Sequence, residues 1–387
     1  MNRKMPYDRV LVVTVFALLF FGLLMVSSAS TVVSLQEPQA SVFSRQLVSV
    51  AVGIGLMLLF MRFDYHWLEH RYLAWGSVVL AGAALIWVLL GPEVNGVRRW
   101  IPLGPTRFQP SEAAKFAVVL LTAHCLAKQD GRLQRLDRTM WACIGTILAV
   151  FALIVVEPDF GTATTLMVAC GLLFFLAGLQ YRWLAVAIGI AIPSLFLMIR
   201  LSPYRWERLV AFWDPEAAPY TTGYQILQSL VAVGSGGVTG KGLAQGTQKL
   251  FFLPEPHTDF IYAVIAEETG LVGCLAVLAM FLVVFWRGLR IGMRADTVFG
   301  NFLGLGITGL ITFQALFNMS VVLSLCPTKG IPLPFISVGG SSAIVMLSAI
   351  GVLLNISKYT RGQVGVSVSP SRAETSRPFP GLVPHGR

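Results

Sequence analysis

Apolar runs long enough to cross a bilayer recur along the chain and set its plan. A helix needs roughly 17–25 predominantly apolar residues to cross the hydrocarbon core. Such runs fall near 10–29, 46–62, 72–90, 111–127, 140–157, 162–178, 183–200, 259–286, 298–325 and 340–357. Lipid offers no partner to a bare backbone polar group, so segments of this length cross as helices. The pattern predicts an all-α, polytopic integral membrane bundle of about ten transmembrane helices. The first run follows Arg3, Lys4 and Arg9, is too long for the apolar part of a signal peptide and lacks a clear cleavage site. It reads as a retained helix.

The connectors alternate in character. An even number of spans puts both termini on one side. With the N-terminus inside, Arg62 and Arg71, then Lys128, Arg132, Arg135 and Arg138, then Arg182, then Arg287, Arg290 and Arg294, then Lys358 and Arg361 all fall inside. Short loops biased in this way are what the positive-inside rule describes. The expectation is a multi-pass protein of the cytoplasmic (inner) membrane with both termini in the cytoplasm. The outer side then receives the 91–110 loop, the turn at 157–162, the segment 201–258 and the loop 326–339, all richer in Pro, Gly, Trp and Arg. The 201–258 loop, between the seventh and eighth spans, is longer than connection requires, and such loops are functional or disordered. An amphipathic stretch from Tyr224 to Val233 favours order. Residues 1–361 read as one membrane domain, and 362–387, rich in Ser, Pro and Arg, as a disordered cytoplasmic tail.

Composition agrees. The 387 residues are 55% hydrophobic and 12% charged, against roughly 25% charged in soluble proteins. The net charge of +10 flanks apolar runs instead of forming one soluble face, so it reads as topology signal and lipid-headgroup contact, with no nucleic-acid partner. Five cysteines are scattered without CxxC spacing, which points to neither a disulfide framework nor a metal site.

The candidate chemistry gathers in the outer loops. In Leu253-Pro254-Glu255-Pro256-His257-Thr258-Asp259-Phe260, Asp259 stands at the mouth of a helix. The plain reading is an N-cap, which Thr258 could also supply; the functional one is that a carboxylate at membrane depth is expensive and marks a working site. His257 is a second titratable group there. Ser111 after Pro110 reads as a cap for the fourth helix, and Glu112 and Lys115, three residues apart, share a face and pair, either as a salt bridge or as the wall of a polar cavity. Arg98 and Arg99 lie outside against the topology rule, fit to grip pyrophosphate oxygens in pairs or to anchor on headgroups. Gly234 to Gly242 superficially resembles a phosphate loop, but Gly242 stands where Ser or Thr is required and no strand precedes it; it reads as a flexible outer loop with N–H groups open to an anion. Glu157-Pro158-Asp159-Phe160-Gly161-Thr162 is a tight turn whose carboxylates fit either a cation or simple turn chemistry. The Pro-broken stretch from Cys326 to Ser342 is irregular backbone of the kind that lines a cavity.

These segments in this order resemble the SEDS family (shape, elongation, division and sporulation), membrane glycosyltransferases that polymerise peptidoglycan. The resemblance runs from about Tyr7 to Tyr359. It rests on Arg99-Trp100 with Gln109-Pro110-Ser111-Glu112, on 157–162, on Gly223-Tyr224-Gln225 with Gln228-Ser229, on 254–260, and on Pro332-Leu333-Pro334 with Gly339-Gly340-Ser341. Pro327-Thr328-Lys329-Gly330 is similar to the division (FtsW-like) branch more than to the elongation (RodA-like) branch, while Val338 departs from a Tyr frequent in the family. The resemblance implies Asp259 as the catalytic residue, a general base. The candidate substrate-binding residues are Arg98, Arg99, Glu112, Lys115, Gln225, Gln228, Ser229, Lys241, His257, Lys329 and Ser341, of which the resemblance itself carries Glu112 and Lys115 into a central cavity. The implied substrate is lipid II, with undecaprenyl pyrophosphate as leaving group stabilised by Arg98, Arg99, Lys241 or a divalent cation (Mg or Mn). Implied partners are a class B penicillin-binding protein of the FtsI-like type, other divisome proteins and membrane lipid. Against this stand a lipid II flippase, a recruiting scaffold and an elongation-type polymerase. The charged motifs crowd one side, whereas a flippase needs polar groups reachable from both.

Overall fold

The structure is a computed structural model that describes residues 7–30, 42–91, 97–103, 106–131, 133, 136–217, 219–221, 223–250 and 252–359. The tail at 362–387, expected to be disordered, lies outside the described residues, as do Arg132 and Arg135. The helices are α1 (Arg9–Ser30), α2 (Val42–Arg62), α3 (Arg71–Leu89), α4 (Pro110–Ala127), α5 (Arg138–Val156), α6 (Phe160–Leu176), α7 (Tyr181–Arg200), α8 (Pro203–Trp213), α9 (Tyr224–Gly236), α10 (Ile261–Met293), α11 (Val298–Val322) and α12 (Gly340–Lys358). Eight of them (α1, α2, α3, α5, α7, α10, α11 and α12) are long and apolar enough to cross a membrane. The shorter apolar α6 and the charged α4 complete the ten spans read from the sequence. The chain is a polytopic helical membrane protein.

Local chemistry sets the ends. Asp137 caps α5 by accepting from the Met140 N–H at 2.8 Å, and Asp159 caps α6 by accepting from the Thr162 N–H at 3.1 Å, each satisfying an orphan donor. Pro110 and Pro203 open α4 and α8, where a missing N–H costs nothing. Ser111 is not a cap. It lies inside the first turn of α4 behind Gln109, and its side chain is buried.

The centre is built from α4, α11 and α12, with α2 running along α12. At Gly351 a Cβ would stand 2.5 Å from the Met57 carbonyl oxygen, so only glycine lets those backbones touch, the small-residue logic of membrane helix packing. At the rim, α7 buries no residue at all, and its apolar surface suits lipid as the solvent.

Two departures from the sequence reading shape the site. The loop between α3 and α4 carries a short antiparallel hairpin, β1 (Ile101–Leu103) with β2 (Thr106–Phe108), pairing Ile101 with Phe108. The predicted single span over 259–286 is broken: Gly270 sits at φ 68°, ψ −162°, so α10 is a short first segment, 261–269, and a long second one. Glu267, Glu268 and Thr269 stand directly before that break, a polar interruption inside the run that the reading of a single span passed over.

Candidate active site

Five chain segments meet at one end of the bundle around a cavity of about 490 Å³. The start of α2 supplies Arg45, Gln46 and Ser49; the α3–α4 connection supplies Arg99, Trp100, Arg107 and Gln109; the α5–α6 turn supplies Asp159. Glu255, His257, Thr258 and Asp259 come from the stretch before α10, Gly330, Pro332, Val338 and Gly339 from the α11–α12 connection, and Gly340 to Ser342 from the first turn of α12.

Asp259 is held from its backbone. The Asn318 side chain on α11 donates to the Asp259 carbonyl at 2.8 Å and to the Ile331 carbonyl at 2.7 Å, while the Ser337 hydroxyl donates to the Thr258 carbonyl at 2.6 Å. Neither Asp259 nor Thr258 caps α10, whose cap position is Phe260 without a side-chain bond. The Asp259 carboxylate instead faces the cavity, so closely backed by Gly330 that a Cβ there would lie 2.9 Å from its Oδ2. Burial, reinforced by the carboxylates of Glu255 and Asp159, pushes the Asp259 carboxyl up to about 7 against the pull of Arg208 and Arg99. A carboxylate with its midpoint near neutrality accepts a proton far better than an ordinary one.

The surroundings are cationic and rigid. Arg99 donates from Nε to the Glu157 carbonyl at 2.7 Å and from Nη2 to the Pro158 carbonyl at 2.6 Å, which fixes its guanidinium on the α5–α6 turn. Asp159 also accepts from the Gln109 side chain at 2.8 Å and the Thr162 hydroxyl at 2.9 Å. Glu157, fully buried, is pushed up to about 8 by burial and the nearby Asp159. Beyond that turn, Arg205 lies over the Phe160 ring at 4.0 Å and Lys329 over the same ring at 4.9 Å, and Arg208 donates to the Thr328 carbonyl at 3.3 Å. Burial, with Arg208 and Arg205 nearby, lowers Lys329 to about 8.

Of the residues singled out from the sequence, Asp259, Arg99, His257 and Ser341 line the cavity together. Ser341 bridges, donating to the Arg107 carbonyl at 3.0 Å and accepting from the Gln109 N–H at 2.9 Å. Lys329 lies outside the lining, over the ring of Phe160, the residue after Asp159. Glu112 and Lys115 do pair, at 2.9 Å, but inside the bundle, where Lys115 also donates to Gln314 at 2.7 Å and Gln314 donates to the Pro332 carbonyl at 3.1 Å; they brace the cavity floor. Arg98 turns back to the Leu89 carbonyl at 3.2 Å. Gln225, Gln228 and Ser229 lie on α9 away from the lining, with Ser229 donating to the Val322 carbonyl at 2.8 Å. Lys241 pairs with Glu267 at 2.7 Å, also outside the lining. The loop after α9 is docked, not flexible: the Lys241 and Gly242 N–H groups donate to the carbonyls of Glu267 and Glu268, both at 3.0 Å, leaving neither for an anion. Sequence reading missed Arg45, Arg107, Arg205 and Arg208. Each is an Arg on the outer side of the predicted topology, the same signal that drew attention to Arg98 and Arg99.

Fold and site together define a polytopic membrane protein with an acid-and-arginine cavity at one end of the bundle. The family model described as cell cycle protein, FtsW/RodA/SpoVE, matches residues 9–362, and the chain belongs to that family. It is similar to Stage V sporulation protein E of Bacillus subtilis, 37% identical over 367 residues that cover 93% of this chain and 99% of that protein. It is likewise similar to the probable peptidoglycan glycosyltransferase FtsW of Trichlorobacter lovleyi, 39% identical over 362 residues, 92% of this chain and 94% of that protein. Among solved structures, it matches a chain described under structural coordination of polymerization and crosslinking by a peptidoglycan synthase complex, with TM-score 0.74 and 29% identity over 91% of this chain and 97% of that one. The rod shape determining protein RodA of Thermus thermophilus matches with TM-score 0.68 and 27% identity, over 92% and 98%.

Proposed function

We propose that this chain is a peptidoglycan glycosyltransferase of the division type that polymerises lipid II, with Asp259 as general base. The observation that carries the reading is the Asp259 carboxyl, raised to about 7 on the wall of an arginine-lined cavity. A sugar hydroxyl is a weak nucleophile and needs a positioned base. In the proposed step the GlcNAc 4-hydroxyl oxygen of one lipid II bonds to the anomeric carbon of the lipid-linked MurNAc. Its proton passes to Asp259, and the bond from that carbon to the pyrophosphate oxygen breaks with its electron pair on undecaprenyl pyrophosphate. One direct displacement inverts the anomeric centre. The leaving group carries its charge away and asks for cations, not for an acid. Arg45, Arg99 and Arg107 on the cavity wall supply fixed positive charge for it, whereas Arg98 and Lys241 point elsewhere.

The relatives named FtsW support the division branch, and the crosslinking complex among the solved structures supports a penicillin-binding transpeptidase as partner. The bias of Lys and Arg to the opposite end supports a cavity facing the outer leaflet and both termini in the cytoplasm. A divalent cation has Asp159, Glu255 and Asp259 within the cavity, but among the described residues no three His, Cys, Asp or Glu side chains form a metal-holding group, and no step is derived through one.

The test is polymerisation of lipid II by the purified protein in vesicles. Asp259→Asn, which keeps shape and removes the base, is expected to abolish glycan product while leaving the protein monodisperse. Full product from that variant refutes the reading, and lipid II crossing the vesicle without product would favour a transporter.

A further inference from the structure

Eight and nine residues beyond Asp259, two adjacent carboxylates are buried where α10 breaks. Glu267 and Glu268 are 0% and 1% exposed, and the loop after α9 closes on both. Glu267 accepts from Lys241 Nζ at 2.7 Å, from the Thr247 N–H at 2.9 Å and hydroxyl at 3.0 Å, and from the Gln248 N–H at 3.0 Å. Glu268 accepts from Lys249 Nζ and the Ser28 hydroxyl, each at 2.6 Å, and from the Ala244 N–H at 3.0 Å. Lys249 itself is buried and donates to Ser28 at 2.6 Å, which ties the clasp to α1.

The backbone repeats the arrangement. A helix interrupted in a membrane leaves orphan carbonyls on one side of the break and orphan N–H groups on the other. Here the loop supplies both. It donates to the Glu267 and Glu268 carbonyls and accepts, through the Gly237 and Val238 carbonyls, from the Leu271 and Val272 N–H groups at 3.0 and 3.2 Å. The fit leaves no slack: a Cβ on Gly240 would lie 2.2 Å from the Glu268 carbonyl oxygen, and one on Gly246 2.9 Å from Glu267 Oε2.

Stability alone does not call for this construction, because a buried ion pair is commonly matched or bettered by apolar side chains of equal volume. What the clasp does is fix one end of a short rod. The segment 261–269 rises about 13 Å at 1.5 Å per residue. Its far end begins at Ile261, two residues after Asp259, whose own carbonyl is held by Asn318 and the preceding Thr258 carbonyl by Ser337. We infer that the clasp of Lys241, Lys249 and Ser28 on Glu267 and Glu268 sets where Asp259 stands in the cavity, which makes Lys249 and Glu268 positioning residues for the transfer reaction. This rests on the reading of Asp259 as the base.

The test uses the full chain in vesicles, with initial polymerisation rates measured against lipid II concentration and pH, normalised to monodisperse protein. Lys249→Met and Glu268→Gln are expected to lower kcat about tenfold, the scale of a sub-ångström misplacement of a reacting group, with KM little changed. The acidic midpoint of the rate profile should move to lower pH, because a loosened Asp259 gains water while its charged neighbours Glu255, Asp159, Arg208 and Arg99 stay in place. Lys249→Arg should restore most of the rate. Lys241→Gln, at a lysine one-third exposed, should act in the same direction more weakly and serves if the buried variants do not fold. A rate that falls with the midpoint unmoved, or wild-type kcat and midpoint throughout, overturns the clasp inference while an inactive Asp259→Asn leaves the base reading standing. Activity in Asp259→Asn removes the base reading itself.

Discussion

At neutral pH Asp259 sits near its own midpoint, and its neighbours decide on which side. Burial and the carboxylates of Glu255 and Asp159 favour the acid, while Arg208 and Arg99 favour the carboxylate. Arg208→Gln removes one of the two pulls toward the charged form, so the acidic limb of the rate profile should move to higher pH, read from polymerisation rates across pH 5 to 9; movement the other way contradicts the assignment. The same shift has a sign for stability. A carboxyl whose folded value is raised adds stability below its ordinary range near 4, and that contribution is lost as pH rises through about 7. Asp259→Asn should therefore melt higher than wild type at pH 8, with the advantage shrinking toward pH 5, in thermal scans of purified protein. Asp259 and Arg99 were legible in the sequence because both are charges placed where lipid or topology opposes them. Arg208 carried the same sign but lay in a long loop whose path back to Thr328 is a tertiary fact.

The broken α10 is the element on which the site turns, and its mark in the sequence is Glu267-Glu268-Thr269-Gly270, a polar interruption inside an apolar run. Gly270 follows directly on Glu267, Glu268 and Thr269, and its positive φ, with a Cβ that would come 2.4 Å from the Gly240 nitrogen, separates the two segments. Gly270→Ala should cost about 1–3 kcal/mol of stability, the usual range for a side chain forced into such a conformation, measured as a lowered melting temperature. An unchanged melt would mean that the break is not needed. The path of the same loop is what sets Gln225, Gln228, Ser229 and Lys241 apart from the cavity lining. Chain position put them on the outer side, but α9 turns Ser229 to Val322, and the clasp takes Lys241 to Glu267. The Glu112–Lys115 pair, by contrast, followed directly from helical spacing; only its depth in the bundle needed the structure.

For the whole molecule, alternating apolar runs and the bias of Lys and Arg gave the spans and an orientation, and both are properties a linear chain displays. The gathering of α2, the β1–β2 hairpin, the α5–α6 turn and the α11–α12 connection at one cavity is not, because it depends on which helices are neighbours. The orientation is testable by labelling intact cells with a membrane-impermeant maleimide, in a chain with half-buried Cys326 changed to Ser. Glu216→Cys, exposed at the cavity end, should label from outside, and His70→Cys, exposed at the opposite end, should not. The reverse pattern would place the cavity in the cytoplasm. The most direct test of the central claim is the pH dependence of glycan synthesis by purified protein in vesicles at saturating lipid II. With Asp259 as base, the rate should rise with pH through a single-proton limb centred near 7, and no such limb should remain in Asp259→Asn. A rate that is flat across this range, or a limb of equal height in Asp259→Asn, would contradict the account.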